Sequence, residues 1–118
     1  GKRQDSDRYR SLWHELRLQF QRSCVDAEGR VVGDSQCGYA LALAYDLLDE
    51  PQRSRAAAHL AANIEALGRR FDTGFVGTAV LLQALDKAGR RDLSAALVLR
   101  REYPSWLFAV EQGATSIW

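Results

Sequence analysis

Apolar residues recur at helical spacing in the first part of the chain. Between residues 9 and 20 they lie three and four positions apart, with polar residues between them. This spacing predicts an amphipathic helix that has Ser6 or Asp7 as its N-cap and places Trp13 in the core. The apolar positions of this stripe are Tyr9, Leu12, Trp13, Leu16 and Phe20.

Four further helices are predicted by the same pattern. The second, over residues 39–48, is apolar at nearly every position and should be buried on most sides. The third begins near Pro51 and ends at Gly68, the fourth spans residues 77–88 and is closed by Gly89, and the fifth has Asp92 as its N-cap. One face of the third helix carries Ala57, Leu60, Ala61, Ile64 and Leu67, the fourth has Leu81, Leu82 and Leu85 inward, and the fifth continues through Leu93, Ala96, Leu97 and Leu99.

Only residues 30–32 and 71–76 have any β character, and because both stretches are short, the sequence predicts an all-α chain. The connections between its helices alternate in length, with long ones at residues 24–36 and 68–77 and short ones at 49–50 and 89–91. Successive antiparallel helices place alternate connections at opposite ends. The chain is therefore expected to form antiparallel helical hairpins with the long loops at one end. A full-length sixth helix would bring the residues that follow it to the short-loop end. We therefore expect residues 104–112 to form a short helix across the long-loop end rather than a full-length partner of the fifth helix.

Composition narrows the possible functions. The 118 residues suit one small domain or a piece of a larger one, and we treat 1–118 as a single segment. Sixteen Lys and Arg against fifteen Asp and Glu give a net charge of +1, with no block of either sign, so neither nucleic acid nor an anionic membrane is an expected partner. No run approaches the ~18 apolar residues of a membrane span.

The two cysteines, Cys24 and Cys37, form no CxxC motif and lack a histidine at metal-ligand spacing. A disulfide between them is one alternative, but we expect two free thiols in a reducing compartment and no metal site. The charged start GKRQDSDR is unlike a secretory signal, although a piece of a larger protein would not show its parent's signal. The sequence leaves the location unknown, with cytoplasmic favoured over secreted. No glycine-rich phosphate loop follows a strand, and no cofactor is expected.

The long-loop end collects aromatic, hydroxyl, amide and carboxylate side chains, which together suit a carbohydrate surface. Glycoside hydrolysis takes two carboxyl groups, and Asp34 with Asp72 could form such a pair, with Glu111 as a further candidate. Asp34 and Asp72 are equally suited to capping helices or forming turns. The residues expected at this end are Asp34, Ser35, Gln36, Tyr39, Asp72, Thr73, Phe75, Thr78 and Thr115, together with Trp106 and Trp118.

Four stretches in a fixed order resemble the catalytic domain of the bacterial α-L-rhamnosidases, inverting glycoside hydrolases. They are GRVVGDSQCGYALAL, DTGFVGTAVLLQAL, AGRRDLSAALVL and EYPSWLFAVEQGATSIW. The resemblance implies an (α/α)6 toroid, of which this chain would supply about five helices, with the long loops at the active-site mouth. It also implies a rhamnose-containing glycoside as the substrate of the parent protein.

In the resembled family a catalytic Glu, the general base, follows the final Ile-Trp, and the general acid lies upstream. The resemblance thus places both catalytic carboxylates outside this chain. We expect the chain to be an inactive piece of a larger protein that, by itself, self-associates, is marginally stable, or both. The resemblance also removes the reason to assign catalysis to Asp34 and Asp72. Within the chain, Thr115 and Trp118 would position the neighbouring Glu, and Phe75 and Trp106 would wall the sugar pocket. Two alternatives are a non-catalytic helical interaction module and an (α/α)6 enzyme for another sugar.

Overall fold

Six helices follow one another in the computed structural model, which describes residues 1–116. Over these residues β pairing is limited to one isolated antiparallel bridge between Val25 and Val31. The described chain is all-α, as predicted. The helices are α1 (Lys2–Cys24), α2 (Gln36–Ala44), α3 (Gln52–Ala66), α4 (Phe75–Lys87), α5 (Arg91–Leu99) and α6 (Trp106–Glu111).

The core lies around α2, which packs most extensively against α4 and then against α3, while α5 packs on α4. The nearly continuous apolar sequence of α2 accounts for this central place, because a helix with apolar residues on all sides needs neighbours on several sides. Each fully buried leucine stabilises the fold by roughly 1.5–3 kcal/mol. The largest fully buried apolar side chains are Tyr39, Leu43, Leu60, Ile64, Leu81, Leu85, Leu93 and Leu97.

The second helix lies earlier in the chain than the sequence predicts, since it begins at Gln36 rather than residue 39. It ends at Ala44 instead of residue 48, because Asp46 takes a left-handed backbone conformation (φ 55°). The Asp46 carboxylate accepts hydrogen bonds of 2.8 Å from Lys87 Nζ and from Arg53 Nη1. The connection from α2 to α3 therefore spans residues 45–51, and its prediction as residues 49–50 alone was wrong.

Two further helix starts differ from prediction. The fourth helix begins at Phe75 after Gly74, two positions before the predicted Gly77. The fifth has Arg90 at its N-cap position, so the prediction of Asp92 as the N-cap was wrong. Asp92 lies in the first turn, where the Arg90 guanidinium, 2.8 Å away, lowers the pKa of the Asp92 carboxyl to about 2.

Helix α1 departs furthest from expectation. It begins at Lys2 rather than after Ser6 or Asp7, and none of its residues is buried. Trp13 is only half-buried, with Nε1 3.4 Å from the carbonyl of Tyr45, so its prediction as core was wrong. Leu16 is 57% exposed. The stripe has the correct helical spacing, but within residues 1–116 only its last member, Phe20, packs against the core cluster.

Polar side chains attach α1 to the connection between α2 and α3. Arg17 donates to the carbonyls of Asp46 and Leu48, each at 3.0 Å, and Gln21 donates to the carbonyl of Leu47 at 2.8 Å. The radius of gyration is 16.2 Å, against about 13 Å for a compact globule of this length. The described chain is thus more open than a self-contained domain.

The last helix matches its prediction. Helix α6 has six residues and is therefore not a full-length partner of α5. Ser105 caps it, its Oγ accepting a hydrogen bond of 3.1 Å from the amide of Phe108. The ring of Trp106 lies 5.0 Å from that of Phe71, which belongs to the connection between α3 and α4. The short helix therefore lies beside a long loop, as expected.

Candidate functional site

The long connections gather at one end of the helices. The Gln36 side chain, at the start of α2, bonds to the connection between α3 and α4. Arg100, just after α5, donates to the carbonyl of Gly68 at 2.7 Å. Asn63 donates to the carbonyl of Asp34 at 3.2 Å. These contacts join the residues before α2, α4 and α6, so the predicted grouping of the long loops is confirmed.

A cavity of about 750 Å³ opens at this end, between the start of α4 and α6. Over residues 1–116 its lining is dominated by aromatic rings, with four hydroxyl groups and no charged side chain. The ring of Phe71 lies 5.0 Å from Trp106, and Tyr103 lies 5.5 Å from Phe108 in an edge-to-face arrangement. The lining residues are Phe71, Thr73, Phe75, Thr78, Ala79, Leu82, Tyr103, Pro104, Ser105, Trp106, Phe108 and Ala109.

The structure brings together two of the four residues assigned to substrate binding. Phe75 and Trp106 both line the cavity, and Phe75 is 90% exposed. Thr115 is exposed and is not part of the lining. Trp118 lies outside the described residues. Two predicted aromatic side chains therefore line the cavity, one at the start of α4 and one at the start of α6.

Asp34 is engaged within its own loop. Its Oδ1 accepts a hydrogen bond of 2.5 Å from the Tyr39 hydroxyl, and its Oδ2 lies 3.2 Å from Arg30 Nη1. Burial of Tyr39, together with this bond to a carboxylate, raises the pKa of the Tyr39 phenol to about 12. Tyr39 therefore stays a hydroxyl donor through the neutral range. Asp34 fixes the loop before α2, which is the structural role considered for it above.

Asp72 likewise contributes its backbone to the structure, since its amide donates to Gln36 Oε1. Neither Asp34 nor Asp72 lines the aromatic cavity.

No cluster of three or more His, Cys, Asp or Glu able to hold a metal ion occurs over residues 1–116. Cys24 and Cys37 are both free thiols. Among the helices described, none is long and apolar enough to cross a membrane.

The start of α4 is fixed by hydroxyl contacts. Thr73 Oγ1 and Thr78 Oγ1 lie 2.6 Å apart, and the Thr78 hydroxyl also lies 3.1 Å from the carbonyl of Gly74. The Gly74 carbonyl thus accepts from both the amide and the hydroxyl of Thr78, and the two threonine hydroxyls tie the residues before α4 to its first turn.

Sequence reasoning missed Phe71, Tyr103 and Phe108 as parts of this site. Phe71 was read only as part of a short β-like stretch. A signal was present, because Phe71 and Phe75 are four residues apart and Tyr103 and Phe108 flank the start of α6. The cavity lining described over residues 1–116 offers aromatic faces to apolar surfaces and hydroxyls for hydrogen bonds, and it includes no carboxylate or histidine.

Comparison with known proteins gives a consistent result. A family model described as the bacterial alpha-L-rhamnosidase 6 hairpin glycosidase domain matches residues 1–118. A Streptomyces avermitilis protein named alpha-L-rhamnosidase is 37% identical over 114 residues, covering 97% of this chain and 11% of that protein. A Formosa agariphila protein of the same name is 36% identical over 120 residues, covering 100% of this chain and 13% of that protein.

Solved structures agree in fold. The crystal structure of S. avermitilis alpha-L-rhamnosidase complexed with L-rhamnose superposes with a TM-score of 0.90 at 37% identity, over 95% of this chain and 11% of that one. Native alpha-L-rhamnosidase from Aspergillus terreus gives a TM-score of 0.91 at 30% identity, over 99% of this chain and 14% of that one. The chain thus spans between 11% and 14% of the length of these relatives.

Proposed function

Since the chain belongs to the bacterial α-L-rhamnosidase six-hairpin glycosidase family, we propose that its parent protein removes terminal α-L-rhamnose from a rhamnose-containing glycoside by inverting hydrolysis. The observation that carries this proposal is the family match over the whole chain, together with 37% identity to a named α-L-rhamnosidase. The open aromatic cavity at the long-loop end adds physical support.

Inverting hydrolysis uses two carboxyl groups about 6.5–9.5 Å apart. One protonates the departing glycosidic oxygen, and the other takes a proton from the water that attacks the anomeric carbon from the opposite face. The bond to the aglycone breaks as the new C–O bond forms, so the free sugar has the inverted anomeric configuration. The described cavity lining supplies neither carboxyl group. In this proposal both come from parts of the parent protein outside this chain.

The role proposed for this chain is to shape the pocket. Phe75 and Trp106 would present aromatic faces to the apolar side of the sugar ring, and Thr73 and Thr78 would offer hydroxyls at its edge. Thr115 and Trp118 would position the base that follows them. Because the walls touch the sugar both before and during reaction, losing one should raise KM more than it lowers kcat.

Hydrolysis of an aryl α-L-rhamnoside by the full-length protein tests the activity, and NMR detection of the anomer first released tests inversion. Trp106→Ala should raise KM by about tenfold. Trp13→Ala, which removes a half-buried indole on α1 away from the cavity, is the matched control and should leave KM unchanged. Cleavage only of other glycosides would refute the substrate, and first release of the retained anomer would refute the mechanism.

The isolated 118-residue chain should show turnover indistinguishable from buffer, since the cavity holds no acid or base. It should also self-associate, because α1 exposes an apolar stripe that water solvates poorly. The stripe includes Tyr9 at 67%, Leu12 at 45% and Leu16 at 57% exposure. Measurable hydrolysis by the isolated chain would show that a catalytic pair lies within it after all.

A further inference from the structure

Gln36 is the only polar or charged residue that is fully buried within residues 1–116. Its side chain makes two hydrogen bonds to the backbone of the connection before α4. The Nε2 group donates to the carbonyl of Arg70 at 3.0 Å, and Oε1 accepts from the amide of Asp72 at 2.9 Å. One partner is an acceptor and the other a donor, so the two bonds use both ends of the amide.

The position of Gln36 makes it a rigid anchor. It is the first residue of α2, directly after the cap Ser35, whose Oγ accepts from the amide of Gly38 at 3.2 Å. The next residue, Cys37, lies against α4 so closely that a methyl group on Gly77 would be 2.8 Å from its Sγ. The base of the Gln36 side chain is thus fixed by the most closely packed pair of helices in the described core.

The segment that Gln36 holds is part of the cavity wall. The two bonds reach the residues on either side of Phe71, whose ring packs on Trp106. The contact between the Thr73 and Thr78 hydroxyls holds the following residues. The segment is therefore fixed at two places, once by α2 and once by α4. Neither the Arg70 carbonyl nor the Asp72 amide makes another hydrogen bond within residues 1–116.

We propose that Gln36 is a positioning residue for sugar binding: its amide bridges Arg70 and Asp72 and thereby sets the placement of Phe71 and, through it, of Trp106. This inference rests on the proposed function, because the cavity must receive the glycoside. A buried amide costs free energy unless both of its ends are bonded, and here both are. An apolar side chain of equal volume could fill the core equally well but could not hold the loop in one place.

The test uses the full-length protein and an aryl α-L-rhamnoside. Gln36→Met keeps the volume and removes both hydrogen bonds, whereas Gln36→Glu keeps the shape and, with its buried carboxyl protonated, still accepts from the Asp72 amide and donates to the Arg70 carbonyl. We expect KM to rise by about tenfold in Gln36→Met and by a smaller factor in Gln36→Glu, with kcat within about twofold of wild type. If Gln36→Met does not fold, the KM of Gln36→Glu tests the positioning role by itself.

Two controls separate positioning from stability. Gln83→Met makes the same exchange at an exposed position of α4 outside the cavity lining and should leave KM unchanged. Leu97→Ala destabilises the buried α5 contact and should lower thermal stability without moving KM. If KM rose by the same factor in Leu97→Ala, loss of stability alone would explain the effect, and the positioning role of Gln36 would be refuted.

The outcomes also separate this inference from the function on which it rests. A wild-type protein without rhamnosidase activity refutes the proposed function. An active wild type whose Gln36 variants keep the wild-type KM, or lose kcat with KM unchanged, overturns the positioning role alone. A selective rise in KM, larger in Gln36→Met than in Gln36→Glu, supports it.

Discussion

Replacing Gly77 with alanine tests whether the close approach of α2 and α4 limits the stability of the core. Gly77 is buried in the first turns of α4. An added methyl group there would lie 2.8 Å from Cys37 Sγ, 3.0 Å from Thr73 Cβ and 3.1 Å from Cys37 Cβ. The two Cβ atoms are fixed by the backbone and cannot rotate away, so the helices themselves must separate.

The magnitude follows from two opposing effects. Overpacking a well-filled core costs about 1–3 kcal/mol. Alanine is favoured over glycine inside a helix by up to about 1 kcal/mol, which offsets part of that cost. With three contacts at or below 3.1 Å, we place the strain in the upper half of its range. The expected net loss is about 1–2 kcal/mol in the free energy of unfolding, or roughly 4–8 °C in Tm.

Urea denaturation followed by far-ultraviolet circular dichroism measures this loss. Gly38→Ala is the matched control, since Gly38 lies in α2 and its added methyl would meet nothing nearer than Val31 Cγ1 at 3.3 Å. It should change the free energy of unfolding by less than about 0.5 kcal/mol. If Gly77→Ala is as stable as wild type, or if both variants lose equally, the close approach of the helices is not what limits stability.

Two further predictions concern the surface. Hydrogen bonds from Lys87 and then from Arg53 lower the pKa of the Asp46 carboxyl. The carboxylate therefore contributes to the stability of the fold above the unfolded pKa near 4, and this contribution is lost as the pH falls through the pKa in the folded state. Asp46→Asn should cost about 1 kcal/mol at pH 7 and flatten the loss of stability below pH 4 in urea titrations; an unchanged acid profile would contradict this. Leu12→Lys with Leu16→Lys should shift the isolated chain toward monomer in sedimentation velocity, whereas Ala62→Lys, on exposed α3 surface, should not.

The sequence alone predicted the helices, because helix formation is governed largely by spacing and end signals within one segment. Gly68 and Gly89 were predicted to end α3 and α4, and both adopt the left-handed conformation that suits a helix end, at φ 67° and 71°. The parity of the loops predicted a short α6, and four ordered motifs predicted the family. All of these follow from residues close together in the chain.

The burial of individual residues required the tertiary structure. Trp13 and Leu16 have the spacing of core residues, yet they are not buried, because burial depends on a neighbouring surface that local spacing does not specify. Asp46 ends α2 early through bonds to Arg53 and to Lys87, the latter 41 residues away. Its effect on the helix could not be read from its immediate neighbours.

The cavity likewise combines residues that the sequence predicted with contacts that only the tertiary structure shows. Phe75 and Trp106 were identified from the family motifs, but their sharing of one wall with Phe71 depends on how α6 lies beside the loop before α4. Gln36 was expected only as one polar residue among several. Its partners are 34 and 36 residues away, and only folding brings their backbone groups within hydrogen-bonding distance. The sequence pattern thus determined the helices, whereas long-range contacts determined the site. Hydrogen bonds and ring packing act only between groups that lie a few ångströms apart in space, however far apart they are along the chain.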